Sequence, residues 1–370
     1  MKHGSFLSNF LLSLFISFWG IFLISCSNSL DRKYFNGDIV FLEDELQLEN
    51  LTGEQVELDG VYAGRMDVCD SLIFMQHFIY PDHFISIFNH YTGKHLGDFI
   101  PKGNGPSEFV DISWIYQFFY EDEHLKGLLY SFSKKKIVIW DITESIQAGV
   151  THASEISFLD NDSNTSLGGY LFFENNKNIV ANIKRFDLPN LPDQTYHKIN
   201  HETRETEKIY SLCNNSIDNN DNVFQALYHH NPVTHNIKGT KLATAMAILP
   251  QINLLDIETG KLIGLRMNHT PNFRNVKNLR GEMKIHYLSI TADAQYIYAL
   301  YVGETTDLKS GFPNGRIIYL FDWNGKLLRK LHLDKEAGHI GIDVNNHALL
   351  IKNDLTDEIY RYNLNDKNTQ

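Results

Sequence analysis

Histidines are the residues of this sequence that most readily support chemistry, and three of them cluster around Pro232. His229 and His230 are adjacent, and His235 follows five residues later. A zinc site needs converging ligands, usually four, whereas adjacent side chains on a strand point to opposite faces. The spacing therefore favours a surface loop at His229 and His230 over a metal site. His235 stays a candidate ligand-binding residue.

A second polar cluster has the alternating spacing of a calcium loop. Its oxygen-bearing side chains are Asp160, Asp162, Asn164 and Ser166. An EF-hand loop also requires glycine at its sixth position and glutamate at its twelfth, and these positions hold Thr165 and Leu171. We therefore predict a polar loop here and no metal site in the chain.

The glycine-rich stretch Gly103-Asn104-Gly105-Pro106 does not have the pattern of a phosphate-binding loop. Neither the Lys-Ser/Thr pair nor a helix signal follows it. We expect a tight turn between two sheets, with Glu108 and Phe109 folded back on the sheet. Because the sequence also contains no nucleophile elbow and no HExxH motif, we predict no catalytic residue and no cofactor.

Composition narrows the class of partner. The 370 residues carry a formal net charge of −12. A nucleic-acid-binding surface must be basic to replace the counterions of phosphate, so nucleic acid is excluded as a partner. Aromatic residues make up 12% of the chain, and because aromatic side chains favour strands we expect mainly β structure.

The first 25 residues have the pattern of a secretory signal. Lys2 and His3 precede an apolar stretch over residues 6–24. The stretch ends in Leu23-Ile24-Ser25-Cys26, which resembles the lipobox of bacterial lipoproteins. This resemblance implies a signal peptide over 1–25, a lipidated Cys26, a tether over 26–37 and a place in the outer membrane. The alternative is an uncleaved membrane helix, for which 19 residues are marginal.

Two further cysteines remain if Cys26 is lipidated. Cys69 and Cys213 are 144 residues apart, and no CxxC pair occurs. They would pair only if the fold brought them together in an oxidising compartment. We expect two buried thiols.

A repeat organises the rest of the chain. Short apolar strands end in an acidic or amide residue six times, at Asn89, Asp141, Asn200, Asp256, Asp322 and Asn363. Three of these markers lead into Thr-Gly-Lys or Asn-Gly-Lys, the chemistry of a hairpin turn in which glycine takes the positive φ angle. Asp141 and Asn200 have Ser145 and Arg204 where the glycine would fall, so we expect degraded turns there.

Each marker belongs to a unit of about four short strands, which is the size of a propeller blade. We therefore predict an all-β fold, a six-bladed β-propeller with four-stranded antiparallel blades over residues 38–370. The last blade is the shortest, so we expect the segment 39–59 to supply its missing outer strand. Two unrelated β-sandwiches are the alternative, but they would not explain six markers in one phase.

Three stretches resemble the TolB-like six-bladed β-propeller lipoproteins of Gram-negative bacteria. They are residues 103–109 with the sequence GNGPSEF, residues 296–303 with YIYALYVG, and residues 318–326 with IYLFDWNGK. Together with the lipobox, the resemblance spans the mature chain. It implies the propeller fold and an envelope location, but fold does not determine function.

For function we carry two hypotheses. The first is a non-catalytic envelope module that binds a protein, peptide or glycan on the ring, since loops can vary without disturbing blade packing. The second is a propeller lyase or hydrolase with its site in the central channel. Channel contacts are predicted for His235, Arg280 and Glu282, with Arg65 in a similar linker. A histidine or carboxylate within ~3.2 Å of a second catalytic-type group in an open channel would favour the enzyme.

Overall fold

The structure is a computed structural model that describes residues 29–43, 45–60, 63–77, 80–157, 165–185, 195–214, 227–228, 231–267, 273, 282–307 and 313–365. The described strands form six sheets that follow one another in the chain. Contacts between innermost strands join the second sheet to the third, the fourth to the fifth, the fifth to the sixth, and the sixth back to the first. The predicted six-bladed propeller is confirmed.

Four short elements precede the blades. They are helix α1 (Ser29–Tyr34) and strands β1 (Asp38–Leu42), β2 (Leu48–Leu51) and β3 (Glu54–Gln55).

Blades 1 to 3 each begin on the innermost strand and end on the outermost. Blade 1 contains β4 (Arg65–Cys69), β5 (Leu72–Gln76), β6 (His83–Asn89) and β7 (His95–Pro101). Blade 2 contains β8 (Gln117–Glu121), β9 (His124–Ser131), β10 (Lys136–Asp141), helix α2 (Ile142–Ala148) and β11 (His152–Ser157). Blade 3 contains β12 (Thr165–Phe173), β13 (Asn178–Arg185), β14 (Thr195–Asn200) and β15 (Thr206–Ser211).

Blades 4 to 6 repeat this order, and each gains a strand from the N-terminal segment. Blade 4 contains β16 (Val233–His235), β17 (Lys241–Ala245), β18 (Gln251–Asp256) and β19 (Leu262–Met267), with β1 outside β19. Blade 5 contains β20 (Glu282–Ala292), β21 (Tyr296–Asp307), β22 (Gly315–Asp322) and β23 (Leu327–Ala337), with β2 outside β23. Blade 6 contains β24 (His339–Asp343), β25 (Ala348–Lys352) and β26 (Ile359–Asn363), with β3 outside β26.

All six marker residues end the third strand of a blade. In blade 1 the Asn89 side chain accepts the backbone N–H groups of Tyr91 and Thr92, and Gly93 takes a φ of 73°. The side-chain oxygen replaces a backbone acceptor, and glycine takes the left-handed conformation without steric cost. The repeat in the sequence is therefore a repeat of one turn.

Two marker residues that are not followed by glycine, Asp141 and Asn200, lead into different local structures. Asn200 keeps the turn, accepting from Glu202 N and Thr203 N, and Arg204 takes the left-handed conformation with a φ of 62°. Asp141 instead caps α2 by accepting the N–H of Glu144 at 2.9 Å. A helical insertion thus replaces the turn of blade 2.

The predicted ring closure is confirmed, and the segment does more than was expected of it. β3 pairs antiparallel with β26, while β1 and β2 add parallel fifth strands to blades 4 and 5. The segment 38–59 is a strap along the outer edges of three blades. The sequence suggested one added strand, because two of the three blades already have four strands of their own.

The predicted tether over 26–37 is wrong at its C-terminal end. Residues 26–28 lie outside the described residues, but α1 follows directly, and Tyr34 and Phe35 are buried in the core beside Phe273. The hydroxyl of Tyr228 donates to the backbone oxygen of Tyr34 at 2.5 Å. Two large aromatic side chains gain more from burial than from exposure, so this part of the segment docks on the body.

Three further expectations concern the glycine-rich turn, the two cysteines and a membrane-spanning helix. Gly105 N donates to the Glu108 carboxylate at 2.8 Å and Phe109 is buried, so the predicted tight turn between blades 1 and 2 is confirmed. Cys69 and Cys213 are both thiols; the prediction of a buried thiol is confirmed for Cys213, whereas Cys69 is half-buried. Among the described residues, no helix has the length and apolar character to cross a membrane.

Candidate ligand channel

The six innermost strands surround a central cavity of about 1040 Å³. Residues of β4, β8, β12, β16, β20 and β24 all line it. Every blade begins on its innermost strand, so these six strands run in the same direction along the channel. We call the end where they begin the Arg65 end, and the end where they finish the Asp70 end.

The channel has two unlike walls. One is aromatic and comes from blades 2 and 3 and from the segments that precede blades 2 and 4. It includes Trp114, Tyr116, Tyr120, Tyr170, Tyr196 and Tyr228. The opposite wall, from blades 5 and 6, is aliphatic and small. It includes Leu288, Ile290, Ala292, Ile340, Ile342 and Val344. A ligand with a flat apolar or cationic face would therefore have one preferred side.

A bulge in β12 aims Tyr170 into the channel. The pairing of β12 with β13 shifts register between Leu167 and Leu171, where Gly168 and Gly169 interrupt the ladder. Such bulges bend a strand and redirect its side chains. A side chain at Gly169 would meet no atom within 4 Å, so the wall is open beside Tyr170.

Tyr170 joins three blades at the channel. Its hydroxyl donates to the backbone oxygen of Tyr116 at 3.1 Å and lies 2.8 Å from Nδ1 of His235. A hydroxyl has one proton, so with that proton on the Tyr116 oxygen the imidazole N–H of His235 donates to the Tyr170 oxygen. His235 also stacks on Phe172, with ring centroids 4.4 Å apart.

Burial keeps both partners of this contact neutral. It lowers the pKa of His235 to about 3 and raises the pKa of Tyr170 far above its ordinary value. A catalytic acid or base works best when its pKa is near the working pH. The two side chains are therefore close enough for proton transfer, but neither has a pKa near neutral pH, as a catalytic acid or base would need.

Arg65 and Asp67 form the polar group nearest the Arg65 end. Their side chains are 3.3 Å apart, and the Arg65 guanidinium lies 4.9 Å from the ring centre of Trp114. Arginine on an aromatic face gains from attraction to the ring electrons as well as from contact. This wall already holds one cation on an aromatic ring.

At the other end of the channel, the Asp70 carboxylate accepts hydrogen bonds from two neighbouring blades. Tyr120 donates to its carboxylate at 2.5 Å and Asn345 donates to it at 2.7 Å. These donors come from blades 2 and 6, so Asp70 links three blades at the rim. At the same end of the channel, after β20, Asp293 accepts from the hydroxyl of Tyr298 at 2.9 Å. None of these donors carries a positive charge that would offset the two carboxylates.

The predicted site residues have different outcomes. His235 lines the channel, and so does Arg65, which begins β4 instead of lying in a linker. Glu282 begins β20, opposite Asp307 on β21, and its side chain is outside the described residues. Arg280, Cys26, His229, His230 and residues 158–164 of the suspected calcium loop are also outside them.

Sequence reasoning missed Tyr170, Tyr120 and Asp70. One signal was present, because two consecutive glycines before a tyrosine inside a strand mark a bulge. The other two had none, since Asp70 and Tyr120 are 50 residues apart and meet only when the ring closes.

Two other polar clusters among the described residues are accounted for by internal contacts. His124, Asp141 and Glu144 have metal-ligand types within 4.8 Å, but the Asp141 carboxylate caps α2 and contacts His124 at 2.8 Å. A cavity of about 240 Å³ beside blade 1 is lined by His77, Ser86, His95 and Asp98. There Ser86 bridges His77 and Asp98, and His95 contacts Asp98.

Comparison with known proteins identifies a family and several solved structures that are similar to this chain. The TolB-like six-bladed propeller model matches residues 60–347. No curated protein matches the chain. A DUF4221 family member from Bacteroides vulgatus is similar at 9% identity and a TM-score of 0.57, over 86% of this chain and 97% of that one.

The comparison also finds two further solved structures. A candidate exported protein from Bacteroides fragilis has 10% identity and a TM-score of 0.50, over 88% of this chain and 98% of that one. Raptor from Chaetomium thermophilum has 9% identity and a TM-score of 0.45, over 86% of this chain but only 29% of its own. Identities this low carry no information on ligand or reaction.

Proposed function

This chain belongs to the TolB-like six-bladed propeller family, and on that premise we propose that it is an envelope lipoprotein that binds a ligand in its central channel without transforming it. The observation that carries the proposal is the channel itself. It has a volume of about 1040 Å³, an aromatic wall facing an aliphatic one, and polar groups at both ends. A few placed polar groups in a largely apolar cavity are typical of ligand sites.

The envelope location rests on the lipobox sequence at Cys26. A structurally similar protein is a candidate exported protein, which agrees with a secreted chain. Only two residues separate Cys26 from the start of helix α1 at Ser29, so an anchor at Cys26 would hold the body close to the membrane. Replacing Cys26 with alanine should release the protein into the soluble fraction, whereas retention after alkaline washing would favour an uncleaved helix.

An enzyme is the second candidate, and one contact favours it. His235 and Tyr170 are 2.8 Å apart in the channel, within reach for proton transfer. A lyase or hydrolase acting there should lose turnover in both His235→Gln and Tyr170→Phe, measured as release of reducing ends from polysaccharides. The low pKa of His235 makes it a weak base, so binding is the better-supported function.

Binding in the channel can be measured with Trp114, which lines it. We would titrate the lipidated protein in detergent with three probes, octalysine, octaglutamate and maltohexaose, and follow tryptophan fluorescence. Gly169→Phe fills the channel at a position where an added side chain meets open space. Ser154→Phe adds the same ring on the exposed outer strand β11 and serves as the control.

We expect at least one probe to change the fluorescence of the parent and of Ser154→Phe, and to leave Gly169→Phe unaffected. A response that persists in Gly169→Phe would place the ligand outside the channel and contradict the proposal. So would the lack of a response to all three chemical classes.

A further inference from the structure

The charged side chains of the channel are unbalanced. Among the described residues that line it, Asp67, Asp70 and Asp293 are acidic and Arg65 is the basic partner of Asp67. His235 adds no charge at neutral pH, because burial lowers its pKa to about 3. The low dielectric of a cleft strengthens such a field, so the channel repels anions and attracts cations.

More acidic groups lie at the Asp70 end. The β8–β9 turn carries Glu121, Asp122 and Glu123, all exposed, and its neighbour Tyr120 donates to Asp70. Lys126 pairs with Glu121 at 2.5 Å, which leaves the charges of Asp122 and Glu123. On the remaining first turns, Lys198 pairs with Glu174, and two lysines are exposed, Lys177 on the β12–β13 turn and Lys238 on the β16–β17 turn.

The sum of these groups at the Asp70 end is acidic. Four acidic residues, Asp70, Asp122, Glu123 and Asp293, remain against the two lysines Lys177 and Lys238 once the two ion pairs are set aside. The side chains that donate to Asp70 and Asp293 are Tyr120, Asn345 and Tyr298, and none of them supplies a positive charge. A field of this sign draws a cation towards the mouth before any contact is made.

The wall inside the mouth suits a cation as well. Tyr120 is 62% exposed at the rim, and farther along the channel, towards the Arg65 end, Trp114 already carries a guanidinium on its face, 4.9 Å from the ring centre. Aromatic faces attract ammonium and guanidinium groups, more strongly where water is excluded. The acidic mouth and the aromatic wall are separate features that favour the same chemistry.

We propose that the ligand of the channel is a lysine- or arginine-rich peptide segment that enters from the Asp70 end. This rests on the proposed function and adds the chemical class of the ligand and the direction of entry. A neutral glycan would gain from the rings but not from the carboxylates. An acidic peptide would be repelled by both the mouth and the channel.

The sequence provides a matched pair of variants for the test. Residues 121–123 and residues 43–45 are both Glu-Asp-Glu, the first at the channel mouth and the second on the outer strap between β1 and β2. E121Q/D122N/E123Q and E43Q/D44N/E45Q therefore remove the same charge from the same residue types at two places. We would measure the Kd of octalysine for each, using the full lipidated protein in detergent.

We expect octalysine to bind the parent more tightly than octaglutamate or maltohexaose. The mouth variant should weaken that binding about fivefold or more, and the strap variant by less than about twofold, because Coulomb attraction falls with distance. Raising the salt from about 50 to about 500 mM should weaken the parent and shrink the difference between parent and mouth variant.

Three outcomes would overturn the inference. Equal weakening by both triple variants would mean attraction to the net negative surface and not to the mouth. Tighter binding of maltohexaose or octaglutamate that Gly169→Phe abolishes would keep a channel ligand but of another class. Binding of octalysine that Gly169→Phe leaves intact would place the cationic segment outside the channel.

Discussion

Three of the third-strand turns repeat the same residue types from blade to blade, whereas the channel wall does not. At the turns, blades 1, 4 and 5 use the same solution, in which Asn89, Asp256 or Asp322 accepts backbone N–H groups and glycine takes a positive φ. Along the channel no such repetition occurs, and Arg65, Tyr170 and Ser289 lie on the innermost strands of blades 1, 3 and 5. The repeated part defines the blades, whereas the unrepeated part gives the cavity one aromatic and one aliphatic side.

This difference predicts that changes to the outer framework cost stability and that changes in the channel cost binding. The largest effect should come from deleting residues 38–59. The deletion removes β1, β2 and β3 and the buried side chains of Val56 and Leu58. Three blades would lose their edge strands, so we expect aggregation or a fall in melting temperature of more than about 10 °C. A variant that melts cooperatively within a degree or two of the parent would show that the strap is only a linker.

The same comparison explains how far the sequence alone could lead. Six blades were predictable because each marker turn is local, and in blades 1, 4 and 5 the glycine lies within four residues of the marker. β1 and β2 were not predictable as fifth strands, since nothing in 38–51 distinguishes pairing with β19 or β23 from pairing with β26. The channel was still harder, because its residues are brought together only by ring closure.

Asp343 lies where the channel wall meets a third-strand turn, and its loss should have the next largest effect on stability. It ends the innermost strand β24, and it is fully buried beside His90 at 3.3 Å and the hydroxyl of Tyr91 at 2.9 Å, both from the blade 1 turn. Asp343→Ala should lower the free energy of unfolding by about 2–4 kcal/mol, because it leaves buried donors unpaired between blades 6 and 1. Urea unfolding measures this, with the exposed Asp38→Ala as control; equal values for the two would contradict it.

The pH dependence of this variant follows from the sign of its pKa shift. Burial raises the pKa of Asp343, but hydrogen bonds from His90, Asn346 and Tyr91 outweigh burial and lower it overall. A lowered folded pKa gives stability that is complete above the unfolded value of about 3.9 and is lost as the pH falls through the folded value. The difference between parent and Asp343→Ala should therefore narrow below about pH 4.

A smaller effect is expected within the repeated turns. At Gly93 the φ is 73°, and an added Cβ would contact the backbone oxygen of Glu57 from the strap. Gly93→Ala should cost about 1–3 kcal/mol, whereas Arg204→Gly, at the turn that lacks glycine, should be neutral or stabilise by up to about 1 kcal/mol. Chemical unfolding of both variants checks the contrast. Equal destabilisation would mean that the two turns do not share one geometry.

The smallest effect on stability at neutral pH should come from the channel, at His235. Its folded pKa is about 3, below the ordinary value of about 6.5, because burial disfavours the charged ring. Between these values the unfolded chain binds the proton and the folded chain does not, so stability falls as the pH drops from about 6.5 towards 3. His77 and His286, whose pKa values burial lowers to about 4, contribute in the same direction.

His235→Gln should therefore change stability by less than about 1 kcal/mol at pH 7.5. It should reduce, without abolishing, the loss of stability between pH 6.5 and 4. Thermal unfolding across this range measures the slope. If the variant and the parent lose stability in parallel, His235 is not neutral in the folded channel, and the protonation argument against catalysis there is lost with it.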